Sequence, residues 1–162
     1  MWAVCYYIRD ACFNPSVGEA ILKNQPVLHV AAKLLIPYIF LYALYVQFHG
    51  EISPGGGFQA GVIFAAAIVL YSLVFGYSPA TRTLTPRALR ALAAVGVLIY
   101  GGTGLVTMLL GGVYLDYNVL SPGNHAQGQQ WGIMAVELGV GITVFSVMLL
   151  LFFLFANREE ER

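Results

Sequence analysis

The chain has 162 residues, of which 59% are hydrophobic and only 10% charged, with eight basic and eight acidic side chains that cancel to zero. A soluble domain carries about 25% charged residues, so this chain lacks the polar surface needed to live in water. A cytosolic enzyme, a disordered linker and a nucleic-acid binder are excluded, the last by the lack of any basic footprint.

Residues 1–26 read as an interfacial segment on the cytoplasmic side. Arg9, Asp10, Glu19 and Lys23 interrupt it, so it lacks the unbroken apolar core of a secretory signal. Cys5 and Cys12 read as free thiols, because a bridge between them would close a tiny loop and brace nothing downstream.

Four apolar runs follow at about 27–48, 58–76, 89–110 and 132–156. Crossing a bilayer takes about 20 helical residues, and each run is long enough. They predict an all-α membrane protein with four transmembrane helices in one domain, 27–156, followed by a charged tail at 157–162. A barrel is excluded, because the runs show no two-residue alternation. Arg9 and Lys23 precede the first span, Arg82, Arg87 and Arg90 mark the second connection, and Arg158 and Arg162 follow the last span. The first and third connections carry no Lys or Arg. The excess of positive charge on the inner side then places both termini in the cytoplasm, as an even number of spans requires.

Within the spans, small residues recur at four-residue spacing. Gly57, Gly61 and Ala65 do so on the second, Ala135, Gly139 and Thr143 on the fourth, and Gly101, Gly102 and Gly104 cluster on the third. Such stripes let helix backbones approach closely in lipid, either inside the four-helix unit or against partner subunits. Pro37 interrupts the first span and predicts a kink.

Ionisable side chains inside spans mark candidate functional positions, because lipid makes them costly. Glu137 lies five residues into the fourth span and Lys33 about two turns into the first. Glu137 reads either as a way-station for protons or sodium or as a structural carboxylate bonded to a neighbouring helix. Lys33 reads either as a charge that tunes a conduction path or as a side chain snorkelling to the headgroups. The topology puts the two toward opposite faces of the membrane, so they do not pair directly.

The first turn, HGEISPGGGFQAG from His49 to Gly61, is the most distinctive stretch. Ser53 and Pro54 suit the cap and first position of a helix, and the three glycines allow close approach of a backbone or an ion. It is no phosphate loop, since it lacks the Lys and the spacing. The third connection holds Asp116 and His125 among Tyr114, Tyr117 and Trp131, aromatics suited to the headgroup level. No metal set, nucleotide fingerprint or catalytic triad appears, so neither a cofactor nor an enzymatic site is expected.

The stretch HGEISPGGGFQAGVIFAAAIVL resembles the signature of the B subunit of multi-subunit Mrp-type sodium/proton antiporters, the MnhB family. The likeness extends upstream through AAKLLIPYIFLYALYVQFHG and resumes at GGVYLDY and GIMAVELGVGITVFSVML. The resemblance implies a multi-pass subunit of the bacterial or archaeal plasma membrane, assembled with other hydrophobic subunits and serving sodium ions and protons. It makes a conduction role for Glu137 and Lys33 more plausible. It also implies that His49, Pro54, Gly55, Gly56, Gly57, Phe58 and Gly61 form a structural motif for helix contact. Two alternatives stand beside the antiporter reading: a membrane-arm subunit of an ion-pumping redox complex such as a hydrogenase, and a purely structural assembly subunit.

Overall fold

The computed structural model of the protein describes residues 26–50, 55–121 and 123–160. The lead-in before residue 26, with both cysteines, and the pair Ser53 and Pro54 lie outside the described residues. Helix α1 spans Pro26–Phe48, α2 Gly57–Phe75, α3 Tyr77–Thr83, α4 Pro86–Leu109 and α5 His125–Glu160, with a 3₁₀ turn at Tyr117–Leu120 between the last two. Among the described residues there is no strand. Four helices are long and apolar enough to cross a membrane: α1, α2, α4 and residues His125–Asn157 of α5.

Three features depart from the apolar runs. Helix α5 begins at His125 rather than near 132, because Ala126, Gln127, Gln129 and Gln130 are good helix formers that hydropathy does not register. Helix α3 occupies part of the second connection. Gly76 turns the chain into it at φ +99°, a backbone conformation that favours glycine, and Ala80 of α3 is buried. Helix α2 is capped by Gly56, not Ser53. Helix α4 has the expected kind of start, with Pro86 in its first turn and the Thr85 hydroxyl accepting from the Ala88 amide at 3.3 Å. Helix α1 runs unbroken through Pro37.

The four long helices form an open row in the order α1–α2–α5–α4. The pairing of residues gives their directions. His29 packs edge-on to Phe75 and Phe40 lies against Phe64, so α1 and α2 are antiparallel. Gly57 meets Glu137 and Gly61 meets Gly141, so α2 and α5 run parallel. Gly96 meets Thr143 while Tyr100 meets Gly139, so α4 and α5 are antiparallel.

Glycines make this row possible. A methyl group on Gly61 would stand 2.6 Å from the Gly141 carbonyl oxygen. One on Gly96 would stand 2.7 Å from the Gly139 carbonyl oxygen, and one on Gly139 would stand 2.9 Å from that of Gly96. Backbone thus touches backbone on both sides of α5. Lipid tails are as apolar as leucine, so helices associate here through such dense packing. The stripes on α2 and α5 are therefore used inside the unit, whereas Gly101 and Gly102 of α4 face open space. Thr143 and Ser146 donate to carbonyls one turn back, Gly139 at 2.8 Å and Ile142 at 2.7 Å, which satisfies both hydroxyls within α5.

At one end of the row, Ala65, Ala80, Leu89, Leu149 and Phe153 form the hydrophobic core. At the other, the connection before α5 folds back onto glycines: the Tyr114 ring covers Gly104 and the Tyr117 ring covers Gly132. Burial pushes the Tyr117 phenol above its ordinary range, and the neighbouring phenols of Tyr100 and Tyr114 add to the shift.

Gly96→Leu, which drives a side chain into the α5 backbone, is expected to destabilise the subunit by about 1–3 kcal/mol. Gly101→Leu, placed in open space, is expected to leave the fold intact. Thermal unfolding of the two purified variants checks this, and equal melting temperatures would refute it.

Candidate functional site

Glu137 is half-buried on α5, opposite the turn between α1 and α2. Its carboxylate lies where side chains on that turn would otherwise be. A Cβ at Gly50 would stand 2.5 Å from Oε1 and 2.7 Å from Oε2. One at Gly56 would stand 3.0 Å from Oε1, at a backbone φ of +116° that itself favours glycine. Gly57 sits directly on the Glu137 backbone carbonyl. The glycines of this turn thus leave a space that holds one carboxylate.

The rest of the motif is arranged around this contact. Gly55 packs against α1, where a Cβ would stand 3.2 Å from the Val46 carbonyl oxygen. His49 stacks on the Tyr45 ring at 4.0 Å between centroids, with Nδ1 3.2 Å from the Tyr45 carbonyl oxygen. Phe58 points outward and is 63% exposed, and Gly61 continues the α2–α5 contact one turn on. Pro54 lies outside the described residues.

Beside Glu137 is a half-open cavity of about 350 Å³, lined by Phe48, Gln127, Gln130, Trp131, Met134 and Glu137. A second chamber of about 290 Å³ lies between α1, α2 and α5, with Gln47 and Phe48 on its wall. The Gln47 Oε1 atom lies over Gly141, 2.8 Å from where a Cβ would be. Sequence reasoning missed these three glutamines. Uncharged amides give no sign in a charge count, although Gln47 near the end of an apolar helix was a usable signal. Among the described residues no three His, Cys, Asp or Glu side chains gather as a metal set.

Lys33 is exposed near the opposite end of the row, with Nζ 6.0 Å from the centroid of the Phe75 ring. Phe75 lies 18 residues along α2 from Gly57, about 27 Å at the helical rise. Lys33 and Glu137 are therefore not brought together.

The methyl group of Gly50→Ala enters the space of the Glu137 carboxylate, which Glu137→Ala vacates, so the effects of these two substitutions on stability are expected to be non-additive by about 0.5–3 kcal/mol. A double-mutant cycle on thermal unfolding measures this, and strict additivity would refute the contact.

Comparison with known proteins adds an independent line. The proteins named "Putative antiporter subunit mnhB2" from Staphylococcus aureus strains Newman, JH1 and USA300 are each 33% identical to this chain over 94 residues. The match covers 58% of this chain and 66% of the length of each relative. A family model described as a domain related to the MnhB subunit of Na+/H+ antiporters matches residues 27–150, which takes in α1, α2, α4, the glycine turn and Glu137. The chain belongs to the MnhB family.

Proposed function

We propose that the protein is an integral subunit of a multi-subunit Mrp-type sodium/proton antiporter, contributing to cation/proton exchange driven by the proton gradient. It works in the plasma membrane of a bacterium or archaeon, with both termini in the cytoplasm, and carries no catalytic site of its own. Family membership supports the assignment to an antiporter assembly. The open row supports assembly with other hydrophobic subunits, because α1 and α4 each leave most of their apolar surface uncovered.

The observation that carries a role in exchange is the carboxylate of Glu137 within an apolar helix, beside a turn whose glycines make room for it. A carboxylate at membrane depth is costly. Its polarity and room beside it suit a group that takes up and releases a proton or a sodium ion as partners rearrange. Lys33, at the other end, supplies a positive charge that tunes the field there without touching Glu137.

Glu137→Gln keeps the shape of the side chain and removes its charge. In everted vesicles carrying the whole complex at matched abundance, sodium-dependent proton flux is expected to fall at least tenfold or to shift its pH optimum. Lys33→Ala is expected to have a smaller effect in the same assay. Unchanged flux for Glu137→Gln with intact assembly would make the subunit a scaffold.

A further inference from the structure

The two cavities divide the α1–α2–α5 side of the row into a polar part and an apolar part. On α5, Gln127, Gln130, Met134 and Glu137 follow one another at three- and four-residue steps, so they share one face of the helix. All four line the same half-open cavity, with Trp131 and Phe48 as its aromatic rim. Trp131 is 66% exposed, as suits a side chain at the headgroup level. Glu137 lies six residues further, about 9 Å deeper along the helix. Gln47 continues the polar face one helical turn below Glu137, over Gly141.

Beyond Gln47 the character of the groove changes. The next chamber is walled by Phe40, Leu44, Phe64, Ile142 and Phe145. Phe40 lies 5.6 Å from Phe64, and Phe64 lies 6.4 Å from Phe145, centroid to centroid, so three rings from three helices meet across it. Lys33 and His29 lie past this aromatic layer, next to Phe75.

We infer that this subunit forms a hydrated half-channel for a small monovalent cation. It opens at the end bearing the glycine turn, runs past Gln127 and Gln130 to Glu137 and Gln47, and is closed below by Phe40, Phe64 and Phe145. Carboxylate and amide oxygens are the hard ligands such a cation takes in place of water. The aromatic layer offers no such ligand. A cation that reaches Glu137 therefore leaves through the same mouth or sideways into a partner subunit, not through this subunit to the Lys33 end. The inference rests on the reading of Glu137 as an ion-coupled carboxylate and adds the route and its closed end.

The test uses single cysteines at Gln130, Met134 and Ile68, the last one helical turn past Phe64 with all three rings kept, each in the assembled complex with Cys5 and Cys12 of this subunit replaced by serine. A membrane-impermeant charged thiol reagent is applied to intact cells and then to everted vesicles. Expected is labelling of Gln130→Cys and Met134→Cys from the cell exterior and none of Ile68→Cys from that side. No labelling at Met134→Cys would mean a dry cavity, and labelling only in everted vesicles would mean a mouth on the other face. Labelling of Ile68→Cys from the cell exterior would mean there is no aromatic closure. Any of these three overturns the inference. In flux assays, the double variant Gln127→Leu, Gln130→Leu is expected to raise the half-saturating sodium concentration roughly tenfold, the scale of a lost bond to a charged partner. An unchanged half-saturating concentration also overturns it. The two readings fail separately. If Glu137→Gln keeps full flux while the labelling pattern holds, the antiport role of Glu137 fails and the hydrated half-channel stands. If the flux collapses but Met134→Cys stays unlabelled, the role stands and the half-channel fails.

Discussion

Direct contact of the α5 backbone with α2 on one side and α4 on the other is the constraint on which the remaining structure depends. Gly57, Gly61, Gly96, Gly139 and Gly141 bring these backbones together, and each contact admits one longitudinal register. A slip of one helical turn would move a side chain about 5.4 Å along its neighbour and push larger residues into spaces that hold only hydrogen. The position of Glu137 against the turn follows from this register. Were α5 held by loosely interdigitating leucines, several registers would compete and the carboxylate would have no fixed place.

The same residue type does different work in the turn. Along the helices, missing side chains allow carbonyls to touch; at Gly50 and Gly56 they leave space for a charged or protonated carboxyl group. A buried carboxylate is tolerated only where polar groups or water compensate the loss of solvent. Backbone of the turn, amides of Gln47 and Gln130, and the neighbouring half-open cavity are the groups at hand. These groups lie on the α1–α2 side of α5. On the side facing α4, the Thr143 hydroxyl bonds within its own helix, and Gln129 donates to Asn118 of the preceding connection.

How much of this was legible in the sequence follows from what each physical signal reports. Apolar length located all four long helices, because lipid thickness sets that length directly. It misplaced the start of α5, since helix propensity continues through the polar residues from Ala126 to Gln130 where hydropathy stops. Spacing of small residues identified the stripes on α2 and α5 but not their partners, as the same pattern serves contacts inside and outside a subunit. Glu137 stood out by its cost in lipid. That it faces the glycine turn, with α2, α3 and α4 between the two in sequence, depends on how α2 and α5 align, which no local pattern encodes. Gln47 went unnoticed for a simpler reason: an amide breaks neither the charge pattern nor the apolar run.

The stagger between neighbouring helices has a mechanical consequence. At the level where Gly139 meets Tyr100, close to the glycine turn, the α1–α2 hairpin ends, yet α4 continues from Tyr100 to Leu109, nine residues or about 14 Å further. Leu105 and Leu109 on that extension are exposed and apolar, so the extension also requires hydrocarbon around it. The rim of the row is therefore stepped, and a flat bilayer of uniform thickness cannot match both edges while the row stands upright. Tilting the row in its own plane, or thinning the lipid along the α1 edge, relieves the mismatch at a cost that grows with each ångström. The subunit thereby couples its lean in the assembly to the thickness of the membrane that surrounds it.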